Sequence, residues 1–162
     1  MTINVGQKLP DGVFMYLSDG VPTPINVADL TKGRKIALFG LPGAFTSTCS
    51  SAHLPSFMRN VAALKAKGVD EIVCMSVNDP WVMDAWDKST GAGEAGITML
   101  TDPDGTLSTA MGLEFSAAPV GFVNRTRRFA AVVEDGVVTW LQEEIERGVC
   151  ELSAGETLLG AL

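Results

Sequence analysis

The sequence predicts a mixed α/β fold built around a buried central sheet, and three observations carry that prediction. Two short, almost uninterrupted apolar runs, Lys35-Ile36-Ala37-Leu38-Phe39-Gly40 and Glu71-Ile72-Val73-Cys74-Met75-Ser76-Val77, have the composition of strands covered on both faces. Each leads into a segment that reads as a helix. Near the end, Asp135-Gly136 joins two more β-type runs, about 127 to 134 and 137 to 141, as a two-residue hairpin. With 162 residues the chain has the size of one domain, 1–162, and no linker, repeat or low-complexity stretch divides it.

The elements follow in order. Residues 1 to 35 are apolar pieces broken by Pro10-Asp11-Gly12, Ser18-Asp19-Gly20 and Pro22-Thr23-Pro24, which suits an N-terminal hairpin, with one helical turn over 26–31 closed by Gly33. The first buried strand, 35–40, then delivers the chain to Cys49. Beyond it, Leu54, Phe57, Met58, Val61 and Leu64 fall at helical spacing, and Lys65-Ala66-Lys67-Gly68 supplies a basic last turn and a stop. Pro55 lies inside this helix and lacks the N–H that Ser51 would need, so a kink is expected just after Cys49. The second strand, 71–77, stops at Asn78-Asp79-Pro80, and Pro80 opens a helix carrying Trp81, Met83 and Trp86. A third strand spans 97–100, and a short helix, 106–111, ends at Gly112. After the hairpin, Ser153-Ala154-Gly155-Glu156 has the form of a capping box for a final helix bearing Leu158, Leu159 and Leu162.

Composition narrows the function. A formal charge of −7 disfavours nucleic acid and anionic membrane as partners, and Arg125-Thr126-Arg127-Arg128 is too short a basic run to reverse that. No apolar stretch is long enough to span a membrane, and the N-terminus lacks a signal-peptide pattern, so a cytoplasmic address is expected. Three cysteines, Cys49, Cys74 and Cys150, match no zinc ribbon or C-x-x-C pair, and with His53 as the one histidine no metal site is expected.

Cys49 stands out because it follows a buried strand and a Pro-Gly turn and sits in the first turn of a helix. Unpaired backbone N–H groups and the positive end of the helix dipole favour the charged form of a thiol placed there. His53, four residues on, raises a Cys-His nucleophile of the hydrolase kind. No oxyanion motif or third orienting residue accompanies it, so His53 reads as a structural or supporting residue.

Pro42-Gly43-Ala44-Phe45-Thr46-Ser47-Thr48-Cys49 resembles the P-x-x-x-T-x-x-C signature of peroxiredoxins, and Ala44-Phe45 with His53-Leu54-Pro55 resembles the peroxiredoxin 5, or plant type II, subfamily. The similarity continues through Val77-Asn78-Asp79-Pro80 and from Asn124 to Gly136, so it covers nearly the whole chain. It implies a thioredoxin-like fold, a central mixed sheet flanked by helices with an N-terminal hairpin extension. It also implies a peroxidase that reduces hydrogen peroxide and alkyl hydroperoxides through Cys49, with no metal or organic cofactor. Ser47 departs from the subfamily, which commonly has proline there.

The implied chemistry makes demands on other residues. A free thiol is about 3% ionised at neutral pH, and a helix-turn site that raises this to about 90% gains roughly 30-fold, or about 2 kcal/mol of barrier. That factor is too small for efficient peroxide cleavage, so the leaving oxygen needs its own stabilisation. Arg125 is assigned that task as a permanent cation with fixed donors, at the start of the penultimate strand where the family has its arginine. Arg127 and Arg128 read as solvated strand-edge charges. Thr46, three residues before Cys49, reads as a helix N-cap or as a partner for the thiolate and a peroxide oxygen. Pro42 shields the thiol in the family, and the N–H groups of Thr48 and Cys49 are expected to bind oxygen.

A second thiol must resolve the sulfenic acid formed on Cys49. The family offers two positions, matching Cys74 and Cys150. Cys74 lies mid-strand, whereas Cys150 lies in a segment where opening disturbs less of the core, so Cys150 is favoured. Glutathione or glutaredoxin, or thioredoxin, is the expected reductant, and external reduction of Cys49 by glutathione or glutaredoxin is the alternative that bypasses both cysteines. The resemblance also implies a homodimer, with Phe45 and Trp81 as candidate contacts. A thioredoxin-type oxidoreductase is disfavoured by the missing C-x-x-C, and a redox sensor would be distinguished by a lack of turnover.

Overall fold

The computed structural model describes all 162 residues. A hairpin of β1 (Val13–Ser18) and β2 (Val21–Asn26) opens the chain and leads into α1 (Val27–Thr31). The core strands are β3 (Lys35–Gly40), β4 (Glu71–Ser76) and β5 (Ile97–Thr101), which pair in parallel through the crossover helices α2 (Leu54–Met58) and α3 (Val61–Ala66), then α4 (Pro80–Thr90) and α5 (Ala92–Ala95). After α6 (Thr106–Ala110) come β6 (Glu114–Ala117) and β7 (Phe122–Thr126), then β8 (Phe129–Glu134), β9 (Val137–Glu143) and α7 (Gly155–Gly160). Seven strands form one mixed sheet in the order β2-β1-β5-β4-β3-β8-β9. Helices cover both of its faces. The expected mixed sheet, flanking helices and N-terminal hairpin are all present.

Alternation along β3 decides what lies on each face. Ala37 and Phe39, with Leu41 just beyond, join Cys49, Leu54, Phe57, Cys74 and Trp86 on one side; Ile36 and Leu38 join Phe14, Val73, Met75 and Leu113 on the other. Phe39 and Phe57 stack with ring centroids 4.0 Å apart, and burying each contributes on the order of 2 kcal/mol. Cys49 is therefore packed into the larger core cluster, in the turn that follows the loop after β3.

Four local expectations are corrected. The kink attributed to Pro55 is a widened turn over Cys49–His53, in which the Leu54 N–H donates to the Cys49 carbonyl five residues back. Such a turn relieves the clash that a proline ring makes inside a regular helix. The single helix predicted from Leu54 to Leu64 breaks at Arg59-Asn60, where the Asn60 amide donates to the Ser56 carbonyl at 2.7 Å and competes with the backbone ladder. β8 begins at Phe129 rather than near Arg127, and ahead of it β6 and β7 form a separate two-stranded ribbon in a stretch where the sequence pattern predicts no element.

Nor does the capping box form. Ser153 Oγ donates to Glu144, Glu156 pairs with Arg59, and the first N–H of α7, that of Gly155, donates to Ser56 Oγ at 2.8 Å. A Cβ at Gly155 would run into the Ser56 carbonyl, so only glycine allows α7 to dock this closely on α2.

Candidate active site

The loop between β3 and Cys49 is built to bring a buried thiol under a narrow cover. Leu41 extends the strand by donating to the Met75 carbonyl at 3.2 Å, after which Pro42-Gly43 turns the chain. Asn78, at the end of β4, holds the turn: its Oδ1 accepts from the Ala44 N–H at 2.9 Å and from Ser76 Oγ at 2.8 Å. Phe45 takes a left-handed φ of 63° and projects into solvent. Thr46 Oγ1 donates to the Gly43 carbonyl at 2.7 Å and the Thr46 carbonyl accepts from the Ser50 N–H at 3.0 Å, so Thr46 fastens both sides of the turn. Thr48 Oγ1 donates to the Gly148 carbonyl at 3.1 Å. Neither the Thr48 nor the Cys49 N–H enters a backbone hydrogen bond, and Cys49 itself is fully buried.

The guanidinium against the sulfur is that of Arg128. It donates from Nη2 to Cys49 Sγ at 3.3 Å and from Nη1 to His53 Nδ1 at 3.0 Å, and only 8% of the residue is exposed. None of the salt bridges in the chain includes it. A buried guanidinium without a carboxylate depends on the acceptors around it, here the Cys49 sulfur and His53 Nδ1. Reading Arg128 as a solvated strand-edge charge is thus overturned.

Arg125 does not reach the sulfur. It lies on β7, not at the start of the penultimate strand, and donates from Nη1 to the Pro42 carbonyl at 3.2 Å with its guanidinium 5.9 Å from the centre of the Phe122 ring. Arg127 matches its surface reading and pairs with Glu143 at 2.8 Å. The register could have distinguished them: Phe129 pairs with Gly40, so Arg128 stands where β3 ends and the cysteine loop begins.

His53 is buried between aromatic rings, 5.0 Å from Phe39 and 5.8 Å from Phe57. Its Nε2 lies 3.0 Å from the Ser153 carbonyl. Burial first, and then the Arg128 charge, pull the imidazole down to about 3, so it stays neutral beside the cation.

Cys74 lies on the Cys49 side of the sheet but is fully enclosed, and burial followed by the Cys49 charge pushes its thiol well up. Cys150 is half-buried in the segment after β9, where burial is the largest of the effects that push it up to about 11. A cavity of about 210 Å³ opens beside Pro42, Arg128, Glu144 and Gly148, between the thiol loop and that segment. All three cysteines are free.

This arrangement has known counterparts. The model of the Redoxin family matches residues 4–159. Over 165 aligned residues the chain is 47% identical to a protein of Oryza sativa named Peroxiredoxin-2E-2, chloroplastic, covering 99% of this chain and 73% of that one. The chain belongs to the peroxiredoxin family. Peroxiredoxin-2E, chloroplastic, of Arabidopsis thaliana is 42% identical, with 99% and 70% of the two chains covered. Among solved structures, reduced Prx3 of Vibrio vulnificus in complex with H2O2 superposes with a TM-score of 0.93 at 41% identity, covering 99% of both chains. Peroxiredoxin 5 of Alvinella pompejana superposes at 0.84 with 29% identity, covering 98% of this chain and 97% of that one. This peroxiredoxin is of the peroxiredoxin 5 subfamily, has the thioredoxin-like fold, and is a thiol-dependent peroxidase. Its expected cytoplasmic address does not stand, because these plant relatives are chloroplastic proteins.

Proposed function

We propose that Cys49 is the thiolate that attacks the peroxide and that Arg128, rather than Arg125, supplies the charge the reaction needs. The observation that carries this reading is the buried Arg128 guanidinium, donating to Cys49 Sγ at 3.3 Å with no carboxylate paired to it. The sulfur attacks one oxygen of R–O–O–H, the O–O bond breaks, and the other oxygen leaves with its electron pair and takes up a proton. Cys49 becomes a sulfenic acid and the product is an alcohol or water. Arg128 spans the sulfur and the departing oxygen, where its donors gain most as charge develops. The Vibrio relative solved with H2O2 supports this substrate.

The remaining cover fits the same chemistry. The Thr46 hydroxyl proton is engaged by Gly43, leaving oxygen lone pairs to accept from the peroxide O–H. The free N–H groups of Thr48 and Cys49 offer donors to the other oxygen. Pro42 shields the thiol, and Arg125 braces it through the Pro42 carbonyl. The cycle uses no metal or organic cofactor, because the thiolate carries both electrons.

Cys150 is the proposed resolving thiol, and the Thr48–Gly148 bond supports this by tying its segment to the cysteine turn. Cys74 would have to leave the middle of β4 to react. Thioredoxin, or glutathione with glutaredoxin, then reduces the disulfide. Peroxide consumption with each reductant, together with mass spectrometry of the oxidised protein, tests the cycle. Cys49→Ser should end turnover and a Cys49–Cys150 disulfide should form. Undiminished turnover would sink the first claim, and a Cys49–Cys74 bond or a mixed disulfide with glutathione the second. The exposed Phe45 and Trp81 are proposed contacts of a homodimer, which a monomer mass by light scattering would refute.

A further inference from the structure

An unbroken line of hydrogen bonds runs from the thiol to the C-terminal segment. Arg128 bonds both Cys49 Sγ and His53 Nδ1. A guanidinium has no lone pair to offer, so Nδ1 must accept and the imidazole proton must sit on Nε2. That N–H donates to the Ser153 carbonyl at 3.0 Å. Ser153 belongs to a stretch whose N–H groups converge on one carboxylate. Glu144 Oε1 accepts from Glu151 at 2.5 Å and from Ser153 at 3.1 Å, and Oε2 accepts from Leu152 at 3.3 Å. The Glu144 N–H closes the circuit by donating to the Arg128 carbonyl at 2.9 Å.

We propose that His53 is a positioning residue that fixes the Arg128 guanidinium against Cys49 and makes that placement depend on Glu144 holding residues 151–153 closed. The inference rests on Cys49 being the thiol that attacks peroxide. Its physical basis is the tautomer. In a fully buried ring an Nε2–H without an acceptor is costly, so the Ser153 carbonyl selects the form in which Nδ1 is free to accept from Arg128. When the segment opens, that selection is lost. A proton on Nδ1 meets the guanidinium donor to donor, and Arg128 is turned away from the sulfur. The phenyl rings of Phe39 and Phe57 leave the imidazole no alternative polar partner on their sides. Cys150 immediately precedes the clamped residues, so drawing it toward another partner pulls on the same circuit.

The two ring nitrogens can be separated by substitution. In His53→Asn the amide oxygen stands near the position of Nδ1, which keeps an acceptor for Arg128 and removes the donor to Ser153. In His53→Gln the amide stands near Nε2, which keeps the donor and removes the acceptor. The rate constant for Cys49 oxidation by hydrogen peroxide, read by quenching and mass spectrometry of the full chain, should fall about tenfold or more in His53→Gln and less in His53→Asn. Glu144→Gln weakens the clamp at the surface and should slow the wild-type background a few-fold, with no further slowing in His53→Asn. Equal losses in the two His53 variants would overturn the positioning role, and so would additive effects of His53→Asn and Glu144→Gln. Should the His53 variants fail to fold, an unchanged rate in Glu144→Gln alone overturns the coupling. Turnover by Cys49→Ser would instead remove the reading on which the inference rests.

Discussion

Arg125 and Arg128 stand three residues apart and carry the same group, yet one braces a backbone carbonyl at the rim and the other is buried against the thiol. The difference comes from the strands that carry them. β7 belongs to a short ribbon outside the main sheet, whereas Arg128 immediately precedes β8, which pairs with β3 in the core. The chain changes sheet between Thr126 and Phe129, and that change carries the guanidinium from the rim to the sulfur. Side-chain chemistry names the candidates for a charged role; the register of one strand pair selects among them.

The largest test of this contrast is Arg128→Met, which keeps length and removes the charge. The rate of peroxide reduction should drop by roughly 10²-fold or more, the usual loss for a donor aimed at developing charge. A variant within a few-fold of wild type would erase the distinction between the two arginines. Next in size is the pH dependence that the inner site confers on stability. His53 is held at about 3 in the folded chain against an ordinary 6.5, so the unfolded chain binds the proton more readily. Stability is therefore full above about pH 6.5 and is lost as pH falls toward 3, with a slope approaching about 1.4 kcal/mol per pH unit. Urea unfolding between those limits should show a shallower slope in His53→Asn, and parallel curves would refute the burial argument. The smallest effect is expected from Arg125→Met. It should cost about 1 kcal/mol of stability and less than tenfold in rate, and a loss matching Arg128→Met would restore Arg125 to the chemical role.

The parts of the fold legible in the sequence were those written in short-range pattern. The 35–40 run became β3 with its predicted bounds, the 71–77 run became β4, and Asp135-Gly136 formed the hairpin turn with both residues at positive φ. Cys49 was legible because strand, turn and helix start are contiguous. The β6–β7 ribbon was not, since its strands are four and five residues long and mostly half-exposed, with too little alternation to read. Long-range polar pairings were equally hidden. Ser153 and Glu156 have the spacing of a local cap, but their partners are Glu144 and Arg59, and the helix start is satisfied by Ser56, some 99 residues away. Nothing near Arg128 in sequence indicates that it will meet His53, which lies 75 positions earlier.

One contact of the cysteine turn has an optical consequence. Trp86 is almost fully buried, and its indole N–H donates to the hydroxyl of Ser50, the residue after Cys49, at 3.1 Å. Trp81, five residues earlier on α4, faces solvent. Soluble quenchers reach the second indole and spare the first. Once the half-buried Trp140 of β9 is replaced by Phe, emission that survives quenching reports on the turn that carries the reactive sulfur, giving the protein an intrinsic fluorophore beside its own reaction centre.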